Sequence, residues 1–325
     1  MKRYCIIGGA GFIGSHLVEE VLGKERDVSV TVYDNFTSGR TWHLAGVKND
    51  RRLKIIRADV KDLKRLTAAM RGADIVYHFA SNPDIARAVR EPNIDFWEGT
   101  YLTNNVLEAM RVNGVKRIVY SSGSGVYGDA GHAVAGEDYP YKNPISTYGA
   151  SKLACEALIS SYCHMFGMRG SALRFGNVVG PHQTHGVGYD FVRKLLIDTR
   201  RLRILGDGTQ SKSYIYITDV VSALRLLEKK MGPGFSYYNV ATRDYITVNE
   251  IADIVVDSMG LKGVRYVHTG GDRGWKGDVP IVRLNTDKIR RLGWRNRYNC
   301  RQAVKESVRA IYEDALLHKF GWRKR

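Results

Sequence analysis

Three glycines at three-residue steps, Gly8, Gly11 and Gly14, sit between two strand-like runs near the start of the chain. Residues 3–8 read RYCIIG, suited to a buried strand, and residues 28–33 read VSVTVY, a second strand closed by Asp34. Between them Phe12, Ile13, Leu17, Val18, Val21 and Leu22 recur on one face of a helix. Glycine permits a tight strand-to-helix turn and lets backbone N–H groups approach a pyrophosphate, while the helix N-terminus adds a favourable dipole. Gly8, Gly11, Phe12, Ile13 and Gly14 are the expected phosphate cradle. An acid about 20 residues past the last glycine accepts bonds from adenosine ribose hydroxyls. Asp34 stands there, and its charge would repel a 2′-phosphate, so the pattern points to NAD rather than NADP. Arg40, close by in sequence, works against that preference.

Composition narrows the class. A chain of 325 residues, 44% hydrophobic, can bury one large core or two lobes. No run approaches the ~18 apolar residues of a membrane helix. The N-terminal MKRY leads straight into the first strand, so no signal peptide and a cytoplasmic location are expected. Cys5, Cys155, Cys163 and Cys300 lack metal-ligand spacing and read as reduced packing residues. The net charge of +17 gathers near the end, at Arg290, Arg291, Arg295, Arg297 and Arg301, then Arg323, Lys324 and Arg325. No nucleic-acid module accompanies it. A solvated surface is the expectation, with attraction of a diphosphate substrate as a secondary benefit.

Strands and helices then alternate, which predicts an α/β fold with a parallel sheet covered on both faces. Strands are expected at 53–56, 75–79, 117–120 and 171–175, and helices at 94–113 and 147–166. The alternation ends near Asn177. A helix at 221–227 is expected to return to the first lobe, and residues from about 248 onward to form a smaller mixed lobe. The expected division is residues 1–176, with a returning segment at about 214–245, for the dinucleotide, and 177–325 for the substrate. The substrate is expected between the lobes, near the carboxyl ends of the strands.

The second chemical signal is Tyr148-Gly149-Ala150-Ser151-Lys152. A tyrosine and a lysine four residues apart share a helix face. A phenol with a pKa of about 10 is a poor base at neutral pH. A lysine ammonium and the positive nicotinamide of NAD both favour the phenolate. Tyr148 then becomes a base able to take a proton from a sugar hydroxyl.

The segments GGAGFIG, SSGSGVYG, YGASK, RFGNVVGP, GDGTQSKSY and GDRGWKGDVP together resemble the extended short-chain dehydrogenase/reductase family, and most closely its nucleotide-sugar 4-epimerases. The likeness runs from the first strand to about Asp278. It implies a doubly wound Rossmann lobe plus a small C-terminal lobe that binds the nucleotide sugar. By the same resemblance Asp34 and Asn35 hold the adenosine ribose, Asp59 and Val60 edge the adenine, and Phe79 and Ala80 line the nicotinamide side. Lys152 bonds the nicotinamide ribose. Asn177 contacts the diphosphate, and residues 186–191, with Val187, Asp190 and Phe191, wrap the nucleotide together with 203–205. Lys212 stands where many relatives carry a phosphate-binding arginine, and Arg273 and Asp278 close over diphosphate and ribose. A homodimer is implied, through helices near 95–113 and 148–166.

Two departures bear on the reaction. Relatives usually place a serine or threonine four residues before the tyrosine of VYG, where this chain has Gly123, so Ser122, Ser124 or a water must supply that hydrogen bond. Gly99 occupies a place where relatives often have asparagine. The 4,6-dehydratases of this family need an Asp-Glu pair where this chain has Ser124-Gly125, and the decarboxylases usually carry a glutamate in that loop. A 4-epimerase needs one base, NAD and room for a 4-ketose to rotate. The expected reaction is therefore C4 inversion of a UDP-hexose, UDP-glucose/UDP-galactose first and UDP-glucuronate/UDP-galacturonate second. A dehydratase or decarboxylase of the same family is the alternative. Arg87 is a candidate partner for a C6 carboxylate, and Trp275 for a stacked base. A nonenzymatic NAD-sensing or RNA-associated protein is the reading from another class, opposed by the intact Tyr148 and Lys152. His182 and His185 with Asp190 lack metal-site geometry, and Ser122 with His132 and Asp138 lacks a hydrolase elbow, so no metal and no triad are expected.

Overall fold

The computed structural model describes residues 1–140 and 143–318; Arg323, Lys324 and Arg325 lie outside the described residues. Six strands come in chain order: β1 (Lys2–Ile7), β2 (Val28–Asp34), β3 (Leu53–Arg57), β4 (Ile75–His78), β5 (Arg117–Gly123) and β6 (Arg169–Phe175). With strand Gly234–Val240 they form one seven-stranded sheet. Its order is Gly234–Val240, β6, β5, β4, β1, β2, β3. The pairs β1–β2, β2–β3, β1–β4 and β4–β5 run parallel. Tyr4, Cys5, Ile6 and Ile7 are all buried, as a parallel strand covered on both faces requires. Edge strand β3 buries none of its five residues. This is the expected α/β architecture. The seventh strand was not anticipated, although GFSYYNV has the aromatic and β-branched content of a strand.

Helices α1 (Phe12–Lys24), α2 (Leu63–Ala69), α3 (Tyr101–Val112) and α4 (Thr147–Phe166) accompany these strands. Leu17, Val18, Val21 and Leu22 of the stripe read from the sequence are buried on α1, whereas Phe12 and Ile13 at its start stay partly exposed. The single helix expected over 94–113 is instead a π-helical turn, Phe96–Thr100, followed by α3. Packing is close there: a Cβ on Gly99 would lie 2.3 Å from the Ser151 hydroxyl of α4. The Gly99 carbonyl accepts from the Thr103 hydroxyl.

The chain divides into two compact units. The first comprises 1–126, 147–174 and 221–238, and the second 127–146, 175–220 and 239–325. The first unit's core joins Ile7, Tyr33, Val76, Val106, Ile118 and Ile159, among others. The second contains α5 (Val187–Ile197), the start of α6 (Ile217–Lys229), α7 (Val248–Ser258), α8 (Asp287–Arg291) and α9 (Cys300–His318). A capping box between Thr247 and Glu250 starts α7. Phe191, Leu195, Ile251, Val255, Val304 and Val308 pack a core among α5, α7 and α9. Short strands flank it: Asn177–Val179 beside Tyr214–Tyr216, and Ser211–Lys212 between Ile246–Thr247 and Ile281–Val282. All four cysteines are free and buried. Among the described residues no helix is long and apolar enough to cross a membrane.

Candidate functional site

The glycine turn tests directly whether a dinucleotide fits. Gly8 has φ +79°, and a Cβ there would meet the Ala80 amide at 2.7 Å, so both backbone conformation and packing demand glycine. A Cβ on Gly14 would lie 2.3 Å from the Gly8 carbonyl, so the helix could not approach the strand this closely with any side chain. Gly11 differs. Its backbone is extended, and a Cβ would meet just one atom, the Gly8 carbonyl at 3.2 Å. Protein packing makes only a weak demand for glycine there; a ligand approaching the bare backbone makes a strong one. Gly11 also starts α1 without a side-chain cap, so the first-turn amides of Phe12, Ile13 and Gly14 remain open to an anion. The residues fit a pyrophosphate.

Asp34 ends β2 against this turn. Its carboxylate accepts from the Ala10 amide at 2.9 Å and the Phe36 amide at 2.8 Å. Burial pushes its pKa up, and the two amide bonds oppose that. The second bond holds Phe36 at φ +60°, strained for a bulky residue. Asn35 donates to the Asp59 carboxylate at 3.1 Å, Tyr33 donates to the Asp59 carbonyl, and Asn105 donates to the Val60 carbonyl. The amides of Phe79 and Ala80 both bond the Ile7 carbonyl, which brings them beside the glycine turn. All these residues belong to the first unit.

Tyr148 and Lys152 share the first turns of α4. The Lys152 ammonium is buried, donates to the Ser121 carbonyl at 2.8 Å, and lies 5.4 Å from the Tyr148 ring centre. Burial pushes its pKa down to about 8. Burial, the Asp95 carboxylate and Cys155 together push the Tyr148 phenol up. In the protein alone, then, the phenol is held protonated and the lysine is held near the edge of its charged range. Asp95 is a participant the sequence did not reveal. Its carboxylate is buried and accepts from Asn82 at 2.9 Å and from Thr147 at 2.7 Å, while its carbonyl accepts from Ser151 at 2.7 Å. It thereby ties down the turn that carries Tyr148.

The two candidate serines part company. The Ser122 hydroxyl is buried and donates at 2.5 Å to Glu156, which Arg174 grips through two nitrogens at 3.0 and 2.6 Å. Ser124 opens the short turn Ser124–Tyr127 and is half-buried. Between them, a Cβ on Gly123 would meet only the Tyr148 ring, at 4.0 Å. The glycine leaves open space beside the phenol.

In the second unit, Lys212 donates to the Asp278 carboxylate at 2.7 Å. The Arg273 guanidinium bonds the Asp278 carbonyl at 2.6 Å and the Asp129 carboxylate at 2.7 Å. Asp278 also receives the Gly274 amide, closing the 273–278 loop on itself. Asn177 donates its side-chain amide to the Ser213 carbonyl at 3.2 Å, next in sequence to Lys212. Asn177, Lys212, Arg273 and Asp278 are thus built into one unit, with Asp129 added by the structure. Three further residues expected at the nucleotide have partners within the protein. Phe191 is a core side chain, Val187 packs against that core, and Asp190 pairs with Arg193 and Lys194 along α5. Arg87 pairs with Glu91 one turn away on the surface.

A family model for the NAD-dependent epimerase/dehydratase family matches residues 4–241. A protein of Corynebacterium glutamicum named UDP-glucose 4-epimerase is 30% identical over 330 residues, covering 96% of this chain and 94% of that one. A crystal structure of a UDP-galactose 4-epimerase superposes with a TM-score of 0.86 at 37% identity, covering 96% of this chain and 99% of that one. A dTDP-glucose 4,6-dehydratase from Streptomyces venezuelae, solved with NAD bound, superposes with a TM-score of 0.88 at 29% identity and 99% coverage of both chains.

Proposed function

The chain belongs to the NAD-dependent epimerase/dehydratase family, and from that premise we propose that it is a UDP-hexose 4-epimerase, acting on UDP-glucose/UDP-galactose first and UDP-glucuronate/UDP-galacturonate second. Its cofactor is NAD, held by Gly8, Gly11, Gly14 and the first turn of α1, with Asp34 for the adenosine ribose. When bound, NAD supplies a positively charged, reversible hydride acceptor, so the reaction has no net redox change.

The observation that carries the reading is the surroundings of Tyr148. One phenol, one buried ammonium and one open space at Gly123 lie together, and the adjoining Ser124-Gly125 offers no carboxyl group. Epimerisation at C4 needs one proton moved from the C4 oxygen and later returned to it, plus room for the sugar to present its other face. Tyr148 is the group for that proton, and Lys152 stabilises the phenolate through its charge. Ser124 is the candidate hydroxyl for the substrate, because Ser122 is committed to Glu156. Dehydration would need further acids and bases for the protons at C5 and C6. Three candidate carboxylates are already engaged: Asp129 is held by Arg273, Glu156 by Arg174 and Ser122, and Asp95, which acts on the phenol, by Asn82 and Thr147. Asn177, Lys212 and Arg273 are the proposed anchors for the diphosphate, where charge-assisted bonds give the firmest hold. The division into 1–176, with a return at 214–245, and 177–325 accompanies this reading as its proposed domain plan.

Incubation with UDP-glucose, UDP-N-acetylglucosamine and UDP-glucuronate, followed by NMR, tests the proposal. The C4 epimer of at least one should accumulate without net NADH. A 6-deoxy-4-keto sugar, or release of carbon dioxide, would replace it with a dehydratase or a decarboxylase.

A further inference from the structure

The run of arginines late in the sequence is not used by the proposed reaction. In the second unit Arg243, Asp287, Arg290, Arg291 and Arg295 line an open cavity of about 280 Å³. Four guanidinium groups there face a single carboxylate. That carboxylate, Asp287, is bonded by Arg243. Arg290 and Arg295 are aimed by neutral partners, which leave their charge unspent. Arg290 donates to the Thr286 hydroxyl at 2.9 Å and to the Asn296 side-chain carbonyl. Arg295 donates to the backbone carbonyls of Arg290 at 2.6 Å and Trp294 at 2.7 Å. The Arg290 guanidinium lies 5.5 Å from the ring centre of Trp294, itself buried and anchored through its indole N–H to the Asp219 carbonyl. Burial and the neighbouring charges of Arg243 and Arg295 disfavour charged Arg290, and Asp287 only partly offsets this. An anion seated in the cavity would relieve that repulsion.

We propose that this concavity is a binding site for a polyphosphate chain, carried by inorganic polyphosphate or by a nucleotide. The planar guanidinium fork matches phosphate oxygens two at a time, and several fixed forks around one hollow call for several linked phosphates. A lone small anion would sit close to the Asp287 carboxylate. A chain can bond Arg290, Arg291 and Arg295 and leave Arg243 to Asp287. The arginines gather around a hollow rather than along a stripe, which favours a compact ligand over an extended nucleic-acid strand. This site shares no residue with the proposed diphosphate anchors Asn177, Lys212 and Arg273.

The test is calorimetric titration of the full chain with inorganic tripolyphosphate, in saturating UDP so that the proposed substrate anchors are occupied. One saturable site is expected. Arg291→Glu combined with Arg295→Glu should weaken it by about a hundredfold, while Arg273→Ala leaves it unchanged. Arg291→Gln, at an exposed position, gives the same reading at smaller amplitude if the double variant does not fold. Equal affinity for tripolyphosphate and ATP would assign the site to the chain alone, and much tighter ATP binding would assign it to a nucleotide. Absence of saturable binding at millimolar tripolyphosphate, or binding indifferent to the arginine substitutions, would overturn the proposal. Tighter binding of single-stranded RNA than of either probe, lost in the same variants, would also overturn it.

Discussion

Lys152 in the first unit and Lys212 in the second are both cations given a role in the proposed function, and the fold treats them in opposite ways. Lys152 is 4% exposed and bonded to a backbone carbonyl, and its depressed pKa records the cost of burying a charge. Lys212 has a carboxylate, Asp278, at 2.7 Å, and Arg273 has Asp129 at the same distance. A buried ammonium bonded to a neutral group is set to stabilise a phenolate that forms beside it. Cations already held by carboxylates are set to be pointed, with the geometry fixed before any diphosphate arrives. Destabilisation is therefore the expected signature of the first site, and pre-organisation that of the second.

The comparison is broken most decisively at Tyr148. Tyr148→Phe keeps the ring and removes the ionisable hydroxyl, so turnover should fall by about 10²–10⁴-fold. Its melting temperature should hardly move. Turnover near that of the unaltered chain would remove the base from the account.

Lys152→Met comes next, with an expected loss of roughly 10–10²-fold in kcat and the disappearance of a decline in activity above pH about 8. Its stability should move the other way. The folded-state pKa lies below the ordinary lysine value of 10.5, so between about 8 and 10.5 the unfolded chain binds more protons than the folded one. Stability tied to this group therefore rises with pH through that window. Removing the ammonium should stabilise the protein at pH 7, and the advantage should shrink as pH climbs past about 8. Thermal melts of both forms from pH 7 to 10 check this.

For the second unit the expected effect is smaller and falls on binding. Arg273→Ala should raise KM for the UDP-sugar by about tenfold, the loss of roughly one charge-assisted bond, with kcat nearly unchanged. A fall confined to kcat would place Arg273 with the chemistry instead. The smallest effect is expected at Gly123→Ser. A Cβ there meets only the Tyr148 ring at 4.0 Å. The side chain should be accommodated without loss of stability, and kcat/KM should change by less than about threefold, within one weak hydrogen bond. A large loss would show that the turning sugar needs the whole of that space and not merely the part a serine leaves open.

What could be read ahead of the structure shares one property: it is local in sequence. The glycine steps, Asp34 after β2, and the Tyr148–Lys152 spacing are set by strand, turn and helix periods. What could not be read depends on long-range pairing. Asp95 meets Thr147 across 52 residues, Ser122 meets Glu156 across 34, and Arg273 meets Asp129 across 144. No period announces such partners. Strand Gly234–Val240 escaped for a related reason: its sheet neighbour β6 ended at Phe175, well before it in the chain. Asp190 and Phe191 were expected at the nucleotide from the resemblance alone; what the structure adds is their partners within the protein, Arg193 and Lys194 along α5 for Asp190 and the second unit's core for Phe191.

The central claim is that hydrogen leaves and returns to C4 alone. UDP-glucose carrying deuterium at C4, incubated in ordinary water with the NAD-loaded enzyme, tests it most directly. The account predicts UDP-galactose with the deuterium still at C4 and none elsewhere. Deuterium found at C6, or lost to water, would contradict it.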